Sequence, residues 1–259
     1  MLPRRELLQG SRQAAALEPL IDLAETVLRT WEPCWTPFLA PDLREEAEAR
    51  LASLSELRLF SEGGHPGAER RRLRLQRSET EPEEEPTGLL GLEIAGNFLF
   101  DPATPEEFRA VLTAAGTAEG ELGDLWLRGD RGAQAVVTAA AAAALEGREG
   151  LVRSVPVRLE SRPLAELRPP AVRPPRQLST VEASCRLDAV ASAGFGLSRS
   201  RMAELIRQGA VRINWQPVSS PSRELRVGER VQLRDRGELE IRSIEPTKRE
   251  RLRIVLERR

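Results

Sequence analysis

The most constraining feature of this sequence is the stretch 186–215, which reads as helix, turn, helix and strand in quick succession. Ser198 is a suitable N-cap for the second helix, because its hydroxyl can accept a hydrogen bond from a backbone N–H of the first turn. Apolar residues then recur three and four positions apart and share one face: Met202, Leu205 and Ile206. Gly209 suits a helix end, where positive φ is common, and residues 211–215 alternate like a strand. The sequence predicts a compact helix-turn-helix-strand unit.

The polar side of this unit is rich in arginine: Arg186, Arg199, Arg201, Arg207 and Arg212. A helix that begins Ser198-Arg199-Ser200-Arg201 offers backbone N–H groups, two hydroxyls and two guanidinium groups to a phosphate. Asn214 joins the candidate set, although its expected role is to hold the turn, and alternation places Trp215 in the core. Such contacts reach the nucleic-acid backbone rather than base edges, so structured RNA recognised by shape is the expected target.

These residues resemble the S4-type RNA-binding domain, also called the alpha-L motif. The matching landmarks, in order, are 186–188, 198–201, 205–206, Gly209 and 211–214. The whole chain is also similar to the YlmH-type ribosome-associated proteins, in the version of photosynthetic bacteria labelled "photosystem II S4 domain protein". That wider likeness covers the segments 93–104, 131–134, 153–157 and 180–184.

The resemblance implies a non-catalytic protein that binds ribosomal RNA or tRNA on ribosomes or their subunits, including a role in the rescue of stalled large subunits. Two alternatives stay open. The family label suggests a protein-interaction factor for photosystem II assembly. An RNA-modifying enzyme of the pseudouridine synthase type is the other, because those enzymes often carry an S4-type domain and their catalytic segment also contains Arg-Leu-Asp. Here Asp188 lies inside the S4-type match itself, so a local role, such as pairing with an arginine of the second helix, is favoured.

The charge is divided unevenly along the chain, although the net charge is only −1. Residues 184–259 hold 17 Lys/Arg and 10 Asp/Glu, giving +7, whereas the other 183 residues hold 22 and 30, giving −8. This asymmetry predicts that the C-terminal part meets a polyanion. Nearly all the basic residues are arginine, which suits bidentate phosphate contacts, although a GC-rich genome gives the same bias.

The first 87 residues are predicted to form helices and strands with a basic run and an acidic loop. Apolar spacing predicts a helix over 11–31, and Pro41-Asp42 opens a second helix. A strand pattern over 57–60 leads through a glycine-rich turn into residues 68–77, which carry five arginines, including Arg70, Arg71 and Arg72. The resemblance implies that this segment contacts RNA; the alternative is a solvated edge strand protected from aggregation by charge. The acidic segment 79–86 reads as a flexible loop.

The rest of the chain predicts an α+β fold. Residues 88–160 follow the order β-α-β-β-α-β, the split arrangement of ferredoxin-like folds, with Thr104 as a helix cap before Pro105 and a last strand over 151–159. The proline-rich stretch 168–175 suits a linker. Further strands are predicted at 178–183, 225–227, 230–233, 239–244 and 251–256. The predicted divisions are an N-terminal segment 1–87, a ferredoxin-like unit 88–165, a linker 166–180 and an S4-type domain 181–259.

Several kinds of chemistry are missing from the sequence. His65 is the only histidine, and it lies in the glycine-rich turn, so a structural role is expected rather than a Ser-His-Asp or Cys-His site. The two cysteines, Cys34 and Cys185, are far apart, which is typical of a reduced protein without zinc spacing. The N-terminus has no apolar signal run, and residues 139–145 are too short to span a bilayer. We therefore expect a cytoplasmic protein without membrane insertion, metal, cofactor or catalysis.

Overall fold

The computed structural model describes residues 2–11, 13–81, 87–171, 174–233, 236–248 and 250–259. The chain divides into two compact units, residues 1–172 and 173–259. No described helix is both long enough and apolar enough to cross a membrane. Residues 82–86 of the predicted acidic loop lie outside the described residues.

The first part of unit 1 is a small sheet with helices packed on it. Its elements are α1 (Arg4–Leu8), α2 (Ala14–Thr30), β1 (Cys34–Trp35), α3 (Pro41–Leu51), β2 (Leu57–Glu62) and β3 (Arg72–Arg77), with strand order β1-β3-β2. The predicted helix over 11–31 is observed as α2, and its apolar stripe is buried: Leu17, Leu20, Ile21, Ala24 and Val27. The basic strand β3 lies in the centre of this sheet, so the prediction of a solvated edge strand is wrong.

The second part of unit 1 has the predicted β-α-β-β-α-β order with one added strand. Its elements are β4 (Leu89–Ala95), α4 (Pro105–Ala114), β5 (Leu122–Leu127), β6 (Gly132–Thr138), α5 (Ala139–Leu145), β7 (Glu149–Val152) and β8 (Val155–Arg162). The antiparallel sheet has the order β5-β6-β4-β8-β7, a ferredoxin-like arrangement extended at one edge. The single strand predicted over 151–159 is wrong, because Arg153 takes a positive φ of 56° and turns the chain into a β7–β8 hairpin.

Helices α4 and α5 cover one face of this sheet. Thr104 and Glu107 form a capping box at the start of α4, as the Thr-Pro-Glu-Glu sequence favours. Phe108 is 1% exposed and its ring lies 4.9 Å from that of Phe98 in the core between helices and sheet. The opposite face is covered by the first part of unit 1, through a second apolar cluster that contains Phe38, Trp126 and Val136. Both parts of unit 1 therefore share one packed body.

Unit 2 is a six-stranded antiparallel sheet with two helices on one face. Its elements are β9 (Arg176–Glu182), α6 (Leu187–Phe195), α7 (Arg199–Arg207), β10 (Val211–Ile213), β11 (Gln216–Pro217), β12 (Arg230–Leu233), β13 (Gly237–Pro246) and β14 (Leu252–Arg258). The strand order is β11-β10-β12-β13-β14-β9. The strand predicted over 225–227 is wrong: Leu225 instead anchors a connecting segment in the core, where its N–H donates to the Cys185 carbonyl at 2.9 Å. Strand β9 begins at Arg176, inside the stretch expected to be linker.

Candidate nucleic-acid interface

The second helix of unit 2, α7, begins with the predicted cap. The Ser198 hydroxyl accepts a hydrogen bond from the Arg201 N–H at 3.2 Å, so this hydroxyl is already engaged. Met202 and Ile206 are fully buried and Leu205 packs against the same cluster, which confirms the apolar stripe. Packing of this stripe turns the polar side of α7 outward, where Ser200 is exposed.

One carboxylate joins the two helices. Asp188, in the first turn of α6, accepts hydrogen bonds from Nε and Nη2 of Arg186, both at 3.1 Å. It also accepts from Nε and Nη2 of Arg199, at 3.1 and 3.2 Å. The Asp188 side chain is only 7% exposed, whereas those of Arg186 and Arg199 are 40% and 55% exposed. Two guanidinium groups from two helices are thus fixed side by side at the surface; we call this group the arginine clamp. It confirms the expected local pairing of Asp188 with an arginine of the second helix.

The arginine clamp keeps a positive charge at neutral pH. Burial by itself would raise the pKa of Asp188, but the hydrogen bonds from Arg186 and Arg199 hold this pKa below its usual value. The ionised carboxylate therefore balances one of the two guanidinium charges. Within the described part of the chain, the Nη1 groups of both arginines make no hydrogen bond and remain available to an anion.

The other candidate arginines of unit 2 do not all lie beside the clamp. Arg201 is on the same turn of α7 and pairs with Glu204 at 2.6 Å. Arg207 is exposed at the C-terminal end of α7. Arg212 lies on β10 between the buried Val211 and Ile213, so alternation turns it to the face of the sheet opposite the helices. The expectation of one polar side carrying all five arginines is wrong for Arg212.

Asn214 and Trp215 form the two-residue turn between β10 and β11. Both have positive φ, 46° and 68°, as in a type I′ hairpin. The Asn214 side-chain oxygen accepts the Arg230 N–H at 2.9 Å, which is the expected turn-holding role. Trp215 is half-buried, and the guanidinium carbon of Arg230 lies 5.8 Å from its ring centroid. The prediction of a core tryptophan is wrong, because the hairpin turn interrupts strand alternation one residue earlier.

The basic run of unit 1 is tied to its own backbone. Nε of Arg70 donates to the Leu122 carbonyl at 3.0 Å and that of Arg71 to the Ala68 carbonyl at 2.9 Å. Nε of Arg72 donates to the Thr36 carbonyl at 2.7 Å. Burial lowers the pKa of both Arg70 and Arg72. These guanidinium groups cross-link strands and loops, so we leave Arg70, Arg71 and Arg72 out of the proposed interface.

Sequence reasoning missed Asp124 as the anchor of the glycine-rich turn. Its carboxylate accepts the backbone N–H groups of Glu69 and Arg70 at 2.7 and 3.0 Å. His65 Nε2 lies 3.3 Å from Asp124 Oδ2, and the imidazole ring meets Trp126 edge-on at 5.4 Å. His65 is therefore a packing residue. No group of three or more His, Cys, Asp or Glu side chains among the described residues could hold a metal ion.

The Asp124 anchor should make unit 1 sensitive to acid. Burial alone would raise the pKa of Asp124, but His65 and the N–H groups of Arg70 and Glu69 hold it below its usual value. The stabilisation is therefore complete above the unfolded pKa of about 3.9 and is lost as the pH falls through the lower folded pKa. We expect Asp124→Asn to lower the free energy of unfolding at pH 7. Below about pH 4 the free energies of unfolding of the variant and of the wild type should become more similar. Urea unfolding at several pH values measures this; an equal gap at pH 3 and pH 7 would contradict it.

Residues 12–80 match the family model for the YlmH N-terminal region, and residues 185–231 match that for the S4 domain. This chain is YlmH-like and carries an S4 domain. The S4 match spans α6, α7, β10 and β11 and contains the whole arginine clamp. The predicted resemblance to both families is confirmed, and so is the α+β fold class.

Two individual proteins are also similar to this chain. Over 248 residues it is 26% identical to the "Ribosome-associated protein quality control protein P2" of Bacillus subtilis (strain 168), which covers 95% of either protein. The solved structure of the cell division protein ylmH from Streptococcus pneumoniae aligns with 58% of this chain and 93% of its own, with 21% identity and a TM-score of 0.45.

Proposed function

We propose that this protein is a non-catalytic RNA-binding protein that acts on the ribosome and holds rRNA or tRNA backbone through its S4 domain. The arginine clamp is the observation that carries the proposal. Guanidinium groups match phosphate oxygens bidentately, and backbone N–H groups at the start of α7 add donors on the same side. The clamp is held in place before any ligand binds, so less side-chain freedom is lost on binding.

The surroundings of the clamp favour backbone contact over base reading. Arg199, Ser200 and Arg201 are the first three residues of α7, and all three are exposed. Affinity from such contacts depends on salt and on the shape of the RNA. The name of the Bacillus subtilis relative places that protein in ribosome-associated quality control, which supports a stalled ribosome or a free large subunit as the site of action here.

The same geometry weighs against the pseudouridine synthase alternative. Asp188 is nearly buried and its two oxygens are shared between two arginines, so it is committed to holding them. A catalytic role predicts pseudouridine formation that disappears in Asp188→Asn; we expect none in either protein. The photosystem assembly hypothesis, which rests on the family label, predicts no RNA binding even at low salt.

Removing two exposed arginines from α7 tests the proposal. We expect Arg199→Ala with Arg201→Ala to weaken binding to large-subunit rRNA by about thirtyfold at ~0.15 M salt, because two exposed cations are worth roughly 2 kcal/mol together. The slope of log K against log salt should become shallower by about 1. Binding across a salt series and sedimentation with purified ribosomal subunits measure these effects.

A matched variant separates position from charge. Arg226→Ala with Arg242→Ala removes the same charge from exposed sites elsewhere in unit 2. It should bind nearly as wild type does. Equal weakening in both double variants would show general charge attraction rather than a site on α7, and wild-type protein that fails to bind rRNA at low salt would sink the proposal.

A further inference from the structure

Several arginines of unit 2 are paired with acids, whereas three cations close together on the β13–β14 hairpin have no acidic partner among the described residues. Acidic partners offset these arginines: Arg186, Arg199, Arg201, Arg223, Arg242 and Arg259. By contrast, Lys248, Arg251 and Arg253, on the β13–β14 hairpin and the start of β14, are exposed. Across the described residues their side chains form no ion pair or hydrogen bond. Three unbalanced cations on one short segment repel one another and favour an external anion.

These three cations line one cavity of about 580 Å³. The strand register places Arg253 beside Val181 on one side and Glu245 on the other, so all three share a face of the sheet. Glu245 is the one carboxylate among the described lining residues, which leaves a clear positive excess. Val181 is 45% exposed and gives the cavity an apolar wall. The cavity thus combines cationic groups with a surface that a ribose or base can cover.

The turn beneath the cavity is held by its own hydrogen bonds. The Thr247 N–H and hydroxyl both donate to the Arg251 carbonyl, at 2.7 and 3.0 Å. Glu250 takes a positive φ of 56°, which closes the turn tightly. The described backbone at Thr247 and Arg251 is therefore held by its own hydrogen bonds, whereas the three cationic side chains have no partner within the described part of the chain. This arrangement suits an anion that arrives from outside.

We propose that this cavity, the hairpin pocket, binds a phosphate of the RNA backbone as a second contact. The idea rests on the RNA-binding function proposed above. Leu252 and Ile254 pack in the core on the side of the helices, so Arg253 between them points to the opposite face of the sheet. The hairpin pocket and the arginine clamp lie on different faces of the S4-containing unit, and they meet two separate backbone segments of a folded RNA.

The test compares two charge-matched triple variants of the full chain. The first is Lys248→Gln, Arg251→Gln and Arg253→Gln, in the hairpin pocket. The second is Arg226→Gln, Arg242→Gln and Arg259→Gln, which removes three charges elsewhere, two of them from ion pairs with acidic neighbours. The probe is labelled rRNA from large ribosomal subunits, and circular dichroism checks that each variant folds.

We expect the pocket variant to bind rRNA about fourfold more weakly than the control variant at ~0.15 M salt, with a salt slope shallower by roughly 2. A charge-conserving variant, Lys248→Arg, Arg251→Lys and Arg253→Lys, should retain most of the wild-type affinity. It also covers the case in which the glutamine variant fails to fold, because strongly weakened binding in this variant would overturn the proposal.

Other results would contradict the hairpin pocket proposal, and they can be distinguished from a failure of the RNA-binding proposal. Equal affinity in both glutamine variants, with a loss in Arg199→Ala plus Arg201→Ala, removes the pocket and keeps the clamp. If the protein binds phosphatidylglycerol vesicles through the hairpin pocket, and the pocket variant still binds rRNA normally, the anion bound there is a lipid headgroup instead. No rRNA binding by the wild type at any salt concentration removes both sites.

Discussion

Replacing Asp188 by asparagine should weaken rRNA binding by about tenfold at ~0.15 M salt, even though the change removes a negative charge. The carboxylate holds Arg186 and Arg199 through paired hydrogen bonds of 3.1–3.2 Å. An asparagine has one acceptor oxygen and cannot hold both groups. Each freed arginine then loses side-chain entropy on binding, at a cost of roughly 0.5–1.5 kcal/mol, and two of them together give a factor of about ten.

The sign of this effect separates two explanations. Charge attraction alone predicts that Asp188→Asn binds RNA more tightly, because a negative charge is gone. Glu204→Gln is the matched control. It removes a negative charge from the Arg201–Glu204 pair on α7, in which both side chains are more than half exposed. That pair contributes little order, so Glu204→Gln should bind as well as wild type or slightly better. If Asp188→Asn bound as tightly as Glu204→Gln, the arginine clamp would have no organising role.

Replacing Gly132 by alanine should destabilise unit 1 by about 4 kcal/mol, the largest effect expected for a single methyl group in this protein. Gly132 begins β6 with a φ of 108°, where side chains are rarely tolerated. An added Cβ would lie 2.0 Å from the Ile94 carbonyl oxygen, a backbone atom held in the β4–β6 ladder. The clash cannot be relieved by moving a flexible side chain, so strand pairing itself must shift.

Gly129, in the same turn, provides the control. Its φ is 66°, and nothing lies within 4 Å of an added Cβ. Gly129→Ala should therefore cost only about 1 kcal/mol, for the left-handed conformation alone. Urea unfolding followed by tryptophan fluorescence measures both, since Trp31, Trp35 and Trp126 all belong to unit 1. Similar losses in the two variants would mean that backbone conformation, and not the contact with Ile94, decides the cost.

The sequence predicted elements whose signals are local. Thr104 and Pro105 marked the start of α4, and the strand predicted over 230–233 is observed as β12. The apolar spacing of α2 and α7 also predicted which side chains are buried. In each case the deciding interactions lie within one or two turns of the chain. Capping and periodicity are therefore sufficient there.

Elements that depend on distant contacts were harder to predict. The alternation of apolar and polar residues predicted a strand through Trp215, but β10 pairs with β11 through a two-residue turn at Asn214 and Trp215. Residues 225–227 have strand-like composition, yet Leu225 is used as a core anchor in a connecting segment. The basic run at 70–72 looked like a surface for phosphate, and its backbone acceptors come from residues as far away as Leu122. Sequence spacing does not reveal such partners.

The candidate site shows the same division. The arginines and Ser198 were found from their pattern, because helix starts rich in arginine have a recognisable composition. The hydrogen bonds of Asp188 to both Arg186 and Arg199 could not be predicted without knowing how α6 and α7 pack against each other. The hairpin pocket required even more, since Val181 reaches Arg253 only through pairing of β9 with β14.

That pairing has a consequence for how the protein is made. Strands β9 and β14 are joined along their whole length, from Glu182 with Leu252 to Arg176 with Arg258. Leu252 comes 70 positions after Glu182, so at roughly 5–20 residues per second the earlier strand waits about 3–15 seconds for its neighbour during translation. Helix α6 also contacts β14, because the Arg258 side chain donates a hydrogen bond to the Gly194 carbonyl. A nascent chain therefore cannot complete the surface proposed to bind RNA until β14 has been synthesised.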